Sequence, residues 1–443
     1  DIGGVTVNRE LAHVPDKLAL LCGVLSAGLC GQAAASGFQL IEQGVVGMGT
    51  AYAGGSAQAE DASTVYFNPA GMTRLKGTQF IAAAHLVLPE ANFDDDSSTT
   101  ATGVSLGGDD GGDGGKAGVV PNIYITHQYN ENLFFGLGIN APFGLETDYN
   151  DGWVGRYYAL KSDLISVNIN PSIAYKLNQR LSIGAGTSAQ YVDAELTNAV
   201  DFGLIMDPSL STLADGESKV QGDDWAWGYN LGVLFNLTES TRIGAHYRSK
   251  IDYTVKGDVK FSDVPVPLQG VFTNANARSE VDIPWTLSSS LFHQINQEWA
   301  VMGDFSRTGW SDFEELRFEF DNGLPDGVTT QNWSDTNRYS LGGVYTPNGK
   351  WSYRIGAAFD ETPIPSSKYR TPRIPGEDRI WGSIGVGYKF TDKVTFDFGY
   401  AHLWVDDPKI DKAAVGEDAL RGNLKGEYDA SVDIVSAQLN WVF

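Results

Sequence analysis

Beyond the first 35 residues the histidines are His85, His127, His246, His293 and His402. With Asp94-Asp95-Asp96, Asp109, Asp110 and Asp113, they are the side chains best suited to hold a metal or shuttle a proton. Their spacing argues against both roles. No two histidines form the His-x-x-x-His pair that sets two imidazoles on one helical face. The aspartates do not follow the ligand spacing of an EF-hand calcium loop. This acidic, glycine-rich segment therefore reads as a solvated loop, with loose bridging of divalent ions to lipopolysaccharide as the lesser alternative. There is no Gly-x-Ser-x-Gly elbow and no phosphate-cradling loop, so neither hydrolase nor nucleotide chemistry is indicated, and no metal and no cofactor are expected. A lipase would need a serine and a histidine brought together by the fold, and nothing in the residue order supports one. Cys22 and Cys30 both lie in or beside an apolar amino-terminal stretch, which leaves the rest of the chain without thiol chemistry or disulfides.

What the charged residues do share is alternation. Ile243, Ala245, Tyr247, Ile251, Tyr253 and Val255 fall on one face of an extended segment, and Arg242, His246, Arg248, Lys250, Asp252 and Lys256 on the other. From Trp225 to Leu237 the odd positions are Trp, Trp, Tyr, Leu, Val, Phe and Leu, while the even ones are Ala, Gly, Asn, Gly, Leu and Asn. The last residues repeat the pattern, with Val435, Ala437, Leu439, Trp441 and Phe443 opposite Ser436, Gln438 and Asn440. A period of two marks β-strands with one oily face. A final amphipathic strand ending on an aromatic residue is what outer-membrane barrels present to the barrel-assembly machinery. Periodicity alone does not separate a soluble sandwich, whose oily faces meet in a core, from a membrane barrel, whose oily faces meet lipid.

The connections separate them. Short turns sit near Asn130-Glu131-Asn132, Asn178-Gln179-Arg180, Thr238-Glu239-Ser240, Asn296-Gln297-Glu298, Asn348-Gly349-Lys350 and Thr391-Asp392-Lys393. Between them lie long polar loops near 91–116, 149–156, 202–224, 257–280, 321–331, 361–378 and 405–428. Six turns and seven loops join fourteen strands, all long loops at one end. That is the outer-membrane pattern, and the expected fold is an all-β, 14-stranded antiparallel transmembrane barrel over 78–443. Lys17, the apolar run Leu18–Leu29 and Ala33-Ala34-Ala35 read as a signal peptide over 17–35, cut before Ser36. The run is too short to span a bilayer. Residues 1–16 have no evident role. The segment 36–77 is rich in Gly and Ala without alternation, yet carries enough apolar side chains to favour burial as a plug inside the barrel. The net charge of −24 makes nucleic acid and anionic surfaces poor partners. The 52 glycines and 12% aromatic residues suit turns, tight lumen packing and interfacial girdles.

Several stretches resemble the FadL family of outer-membrane transporters of long-chain fatty acids and other hydrophobic compounds. They begin with Ser36-Gly37-Phe38-Gln39-Leu40, Gly47-x-Gly49-Thr50-Ala51-Tyr52-Ala53-Gly54, Asp61-Ala62 and Asn68-Pro69-Ala70-Gly71-Met72. They continue through Asn170-Pro171-Ser172, Trp227-Gly228-Tyr229-Asn230 and Arg242-Ile243-Gly244-x-x-Tyr247-Arg248-Ser249-Lys250. Gly356-x-x-Phe359-Asp360-Glu361-Thr362-Pro363 and Ile374-Pro375-x-x-Asp378-Arg379-x-Trp381 complete the series, in order along nearly the whole mature chain. The resemblance implies a fourteen-stranded barrel plugged by an N-terminal hatch, the same count reached from the turns. It also implies passive uptake of hydrophobic small molecules, with Phe38, Asn68, Pro69 and Ala70 at the hatch and ligand pocket.

Two further features gain meaning beside it. Asn140-Ala141-Pro142-Phe143-Gly144 interrupts the third strand; proline removes a ladder donor and glycine permits a bend, so pairing should fail there. The resemblance makes Pro142, Phe143 and Gly144 a lateral exit through the wall; the plain alternative is the end of a strand. Phe202, Leu204, Ile205, Met206, Leu210 and Leu213 crowd one outer loop, and Val264, Val266, Leu268, Val271 and Phe272 another, giving an apolar capture surface or two loops packed on each other. The chain departs from the fatty-acid members in having no Lys or Arg between Arg180 and Lys219, nor between Arg317 and Arg338, where a carboxylate partner is expected. Arg248, Lys250 and Arg338 are the substitutes, and neutral hydrocarbons, alkanes or aromatics, are the alternative cargo. A hydrophilic porin is disfavoured by the plug. Outer-membrane lipid and lipopolysaccharide should surround the protein, which is expected to be a monomer.

Overall fold

Each of the six predicted turns opens on an Asn or Thr whose side chain closes it. The side-chain oxygens of Asn130, Asn178, Asn296 and Asn348, and those of Thr238 and Thr391, each accept from the backbone N–H groups two and three residues on, at 2.8–3.3 Å. These self-capped reversals fix where the strands fold back. A computed structural model describes residues 37–443; the stretch 1–16 and the signal peptide expected over 17–35 lie outside the described residues.

The strands are β1 (Thr78–Asp95), β2 (Gly118–Gln128), β3 in two pieces (Leu133–Asn140 and Gly144–Asp148), β4 (Lys161–Lys176), β5 (Leu181–Asp201) and β6 (Asp215–Asn236). β7 (Thr241–Arg248 and Ile251–Ser262) and β8 (Ala275–Ile283 and Thr286–Gln294) are each broken once. β9 (Trp299–Thr308) is carried outward by Glu315–Phe320, and β10 (Thr336–Tyr345) is preceded by Gly327–Thr330. β11 (Trp351–Asp360), β12 (Arg379–Lys389), β13 (Val394–Val405, with Lys409–Lys412 beyond it) and β14 (Leu424–Val442) complete the sheet. Neighbours pair antiparallel, and β14 closes onto β1 from Gln79–Val442 to Asp95–Gly426. A spanning strand needs only about 9–11 residues. The 21 residues of β5 and 22 of β6 therefore stand well clear of the hydrocarbon, and the loop between them is 202–214, shorter than the 202–224 expected.

Burial is inverted relative to a soluble protein. Trp227 and Leu341 are each 73% exposed and Ile355 66%, whereas His85, Asn122, Asn168 and Asn230 are fully buried. The oily faces thus point outward to lipid and the polar faces line the lumen. Among the described residues no helix is long and apolar enough to cross a membrane. At the turn end Trp299 stacks on Tyr345, Trp351 packs on Tyr388 and Trp441 stacks on Phe443, forming an aromatic girdle.

Residues 37–77 occupy the lumen as short helical turns, Val45–Met48, Gly55–Gln58 and Thr64–Phe67, followed by the 3-10 turn Pro69–Arg74. Wall glycines admit them. A Cβ at Gly244 would strike the Ser56 carbonyl, one at Gly356 the backbone of Thr50, and one at Gly184 the backbone of Ala70. Arg354 donates to Asp397 and to Glu60 of the hatch, both at 2.8 Å. Gln438 accepts from Val45 N–H at 3.0 Å and donates to Asp61 at 2.7 Å. The plug is thus bonded to the wall on several sides.

Candidate functional site

Asn68 shows how the hatch is fixed. Its backbone is extended, as expected before proline, and its side-chain oxygen accepts from Ala70 N–H at 3.0 Å. Its amide donates to the Ser56 carbonyl at 2.6 Å and to the Val233 carbonyl of β6 at 2.9 Å. The turn and the wall contact are therefore one structure. It lies against Gly184 and Gly232, away from the pocket that holds Phe38, so Asn68, Pro69 and Ala70 are anchors and not pocket lining.

Phe38 is 3% exposed and sits in a cage of rings. Its centroid lies 4.9 Å from Trp310, 5.9 Å from Phe143, 5.9 Å from Phe313 and 6.0 Å from Trp333. Ile251, Tyr253, Ile283, Val192, Ile364 and Ile374 continue the cluster. One rung inward along β7, β8, β9 and β10, the lining turns polar. Arg248, His246, Thr286, Ser288, Ser306, Thr308, Thr336, Arg338 and Asp360 surround a cavity of about 80 Å³, roofed by Gln39 and Ile41. Arg338 donates from Nη2 to the Ala51 carbonyl at 3.0 Å and lies 5.0 Å from the Trp381 ring, but its buried Nε and Nη1 have no hydrogen-bond partner. Arg248 donates to Ser188 and to the Tyr66 carbonyl and covers the Tyr66 ring.

Lys250 is not brought there. β6 pairs Asn230 with Arg248 but Asp223 with Lys256, a shift of one residue. The shift marks a bulge at Ser249-Lys250, which reverses the faces beyond it. Ile251 and Tyr253, expected on the lipid face, are buried in the lumen cluster, and Lys250 pairs with Asp252 at 2.9 Å and Asp282 at 2.8 Å.

At the β3 interruption pairing fails as expected. β2 pairs with β3 only through Ile123–Ile139, and beyond the break the outer piece of β3 pairs with β4 while a lone bridge, Gly115–Thr147, is its contact on the other side. The hatch fills the gap. Gly144 N–H donates to the Phe38 carbonyl at 3.0 Å and Leu40 N–H to the Pro142 carbonyl at 2.8 Å. Gln43 donates to the Ala141 carbonyl and Asn122 to the Glu42 carbonyl. Phe143 points inward onto Phe38.

Outside, Ile205 and Phe272 of the two predicted capture loops line a cavity of about 530 Å³ with Phe261, Leu316, Phe318 and Phe320. Phe202 is not available for capture; it is fully buried, edge-on to Phe272 at 4.9 Å. Leu210, Leu213, Val266 and Val271 are exposed, and Leu204, Met206, Val264 and Leu268 partly so. Leu316 lines this groove and also packs against the Phe38 cluster, joining the two. Trp310, Phe313 and Trp333 fall in no alternating run, whereas Leu316, Phe318 and Phe320 do alternate with Glu315, Arg317 and Glu319, a signal that sequence reasoning passed over.

Residues 26–443 match the family described as outer membrane protein transport protein (OMPP1/FadL/TodX). The chain belongs to that family. It is 32% identical to a putative outer membrane protein of Neisseria meningitidis serogroup B, over 96% of this chain and 98% of that one. It is 30% identical to the long-chain fatty acid transport protein of Escherichia coli O6:H1, over 90% and 92%. Outer membrane protein P1 of Haemophilus influenzae is 31% identical over 84% and 87%. A Pseudomonas aeruginosa FadL homologue has the same fold, with a TM-score of 0.85 at 23% identity over 93% of this chain and all of that one. The toluene transporter TodX of Pseudomonas putida superposes at 0.69 and 18% identity, over 94% and 99%. This FadL/TodX-family chain is thus an outer-membrane β-barrel, and its fold is that of transport channels.

Proposed function

We propose that this FadL-family barrel carries long-chain fatty acids across the outer membrane without an energy source. Substrate settles in the apolar outer groove, passes Leu316 into the space held by Phe38, places its carboxylate toward Arg338 and Arg248, and leaves sideways at Pro142-Phe143-Gly144. The observation that carries the reading is the position of Phe38. It fills an aromatic pocket, its neighbour Gln39 lines the arginine-bearing cavity, and its own carbonyl bonds the strand interruption. Burial of alkyl surface, roughly 25 cal/mol per Å², would supply the affinity. The E. coli and Salmonella typhi relatives are long-chain fatty acid transport proteins, which agrees with a fatty-acid cargo. A second reading, neutral hydrocarbons, draws on the likeness to TodX and on the missing cations between Arg180 and Lys219.

The test is uptake of a labelled long-chain fatty acid by cells that depend on this protein. Pro142→Val with Gly144→Val should close the wall and abolish uptake while the barrel still shows its folded, heat-modifiable form on a gel. Unchanged uptake would remove the lateral route.

A further inference from the structure

Arg373 lies in the loop between β11 and β12 and faces the outer groove together with Phe261, Phe272, Phe318 and Phe320. The next residue, Ile374, belongs to the cluster around Phe38. Arg373 therefore stands where the groove meets the lumen. Its hydrogen bonds run to neutral oxygens: from Nη1 to the Lys161 carbonyl at 2.9 Å and Ser162 Oγ at 3.0 Å, and from Nη2 to the Thr197 carbonyl at 3.1 Å. Among the described residues no carboxylate pairs with it.

The acids nearby are committed elsewhere. Asp201 accepts from Leu204 and Thr212 N–H and from Ser211 Oγ. Glu417 accepts from Thr330, and Asp418 is shared between Lys412 and Arg421. Burial among apolar side chains, and then the Arg421 charge, push the Arg373 guanidinium down to about 9. A partly buried cation in an aromatic-lined groove without a counter-ion is costly, and an anion delivered on an apolar stem would relieve that cost.

We infer that Arg373 is the receptor for the carboxylate of an amphiphilic substrate in the outer groove, and that it makes the first capture step select acids over neutral hydrocarbons of the same length. This rests on the uptake reading above. The planar guanidinium presents its remaining N–H groups to a carboxylate, while the alkyl stem lies along the phenylalanine rings. Arg338 and Arg248 then form a second, inner station, and Leu316 bridges the two.

The experiment compares initial uptake of a long-chain fatty acid and of the alcohol of equal length, by cells carrying the full chain or Arg373→Gln or Arg373→Lys. Gln keeps one amide donor on a shorter stem and loses the charge, whereas Lys keeps the charge. The expected result is a rise of about tenfold in the half-saturating concentration for the acid with R373Q, the size of one lost charge-assisted hydrogen bond in a partly hydrated site. The maximal rate and the alcohol should be unaffected, and R373K should recover most of the loss. Equal shifts for acid and alcohol would show a loop-positioning role and overturn the inference, as would no shift for either. Wild-type cells that take up neither compound would instead overturn the transport reading itself.

Discussion

Replacing Phe38 by alanine separates two roles for this ring. The cavity lined by the next residue, Gln39, about 80 Å³, falls well short of the ~300–1,000 Å³ of pockets for drug-sized ligands. A long alkyl chain fits only if the ring leaves, so Phe38 competes with substrate. Truncating a fully buried phenylalanine costs about 3–5 kcal/mol; the lower figure suits a residue near the start of the hatch, held further by two backbone bonds. At 1.4 kcal/mol per factor of ten, removing ~3 kcal/mol from the docked state should tighten binding in the lumen by up to about 150-fold. Protein in lipid vesicles can be titrated with a brominated fatty acid, whose bromine quenches Trp310 and Trp333 beside the ring, with Trp310→Phe and Trp333→Phe identifying the signal. The barrel should remain folded, because Arg354, Arg242 and Gln438 hold the hatch elsewhere. Weaker binding by F38A would refute the reasoning, since it would make Phe38 a wall of the site and not its occupant.

Arg338→Met should weaken lumen binding of a fatty acid about tenfold and leave an alkane of equal length unchanged, measured by the same quenching titration. Asn68→Ala removes three hydrogen bonds and should destabilise the hatch by about 2–3 kcal/mol, read as small-solute leakage in single-channel recordings. Gly356→Val would drive a side chain into the backbone of Thr50 and should prevent the hatch from seating, raising sensitivity of cells to bulky antibiotics.

Strand count, turn positions and inverted burial were legible because each follows from local rules: period two for the strands, Asn or Thr side chains closing the turns, long loops at one end. The Trp225–Leu237 face points outward as its pattern required, with Trp225, Trp227, Tyr229, Leu231, Val233, Phe235 and Leu237 all exposed. The bulge at Ser249-Lys250 was not legible. Ser249 is a single polar residue on the oily face and the same alternation resumes at Ile251, so the reversal that buries Ile251 and Tyr253 and withdraws Lys250 depends on pairing with β6, which is non-local. The arginine stations were half legible. Arg248 and Arg338 lie on recognisable lumen faces, whereas Arg373 sits in an irregular loop whose placement comes from bonds to β4 and β5. Pro142 and Gly144 announced a break, but nothing local said that Phe38 and Leu40 would bond it.

That last contact ties the parts together. An open seam in hydrocarbon leaves backbone groups without water, at several kcal/mol each, and here the Pro142 carbonyl and Gly144 N–H are satisfied by Leu40 and Phe38. The ring of Phe38 and its backbone cannot leave separately. A ligand that takes the ring's place therefore strips the seam of its partners at the same moment, and a seam held open must in turn favour ligand in the pocket, since coupling between two sites is reciprocal. A disulfide joining Gln39→Cys to a cysteine placed at Phe143, the pair bridged at the seam, should abolish uptake when oxidised and restore it when reduced. Uptake undiminished in the oxidised form would show that pocket and seam open independently.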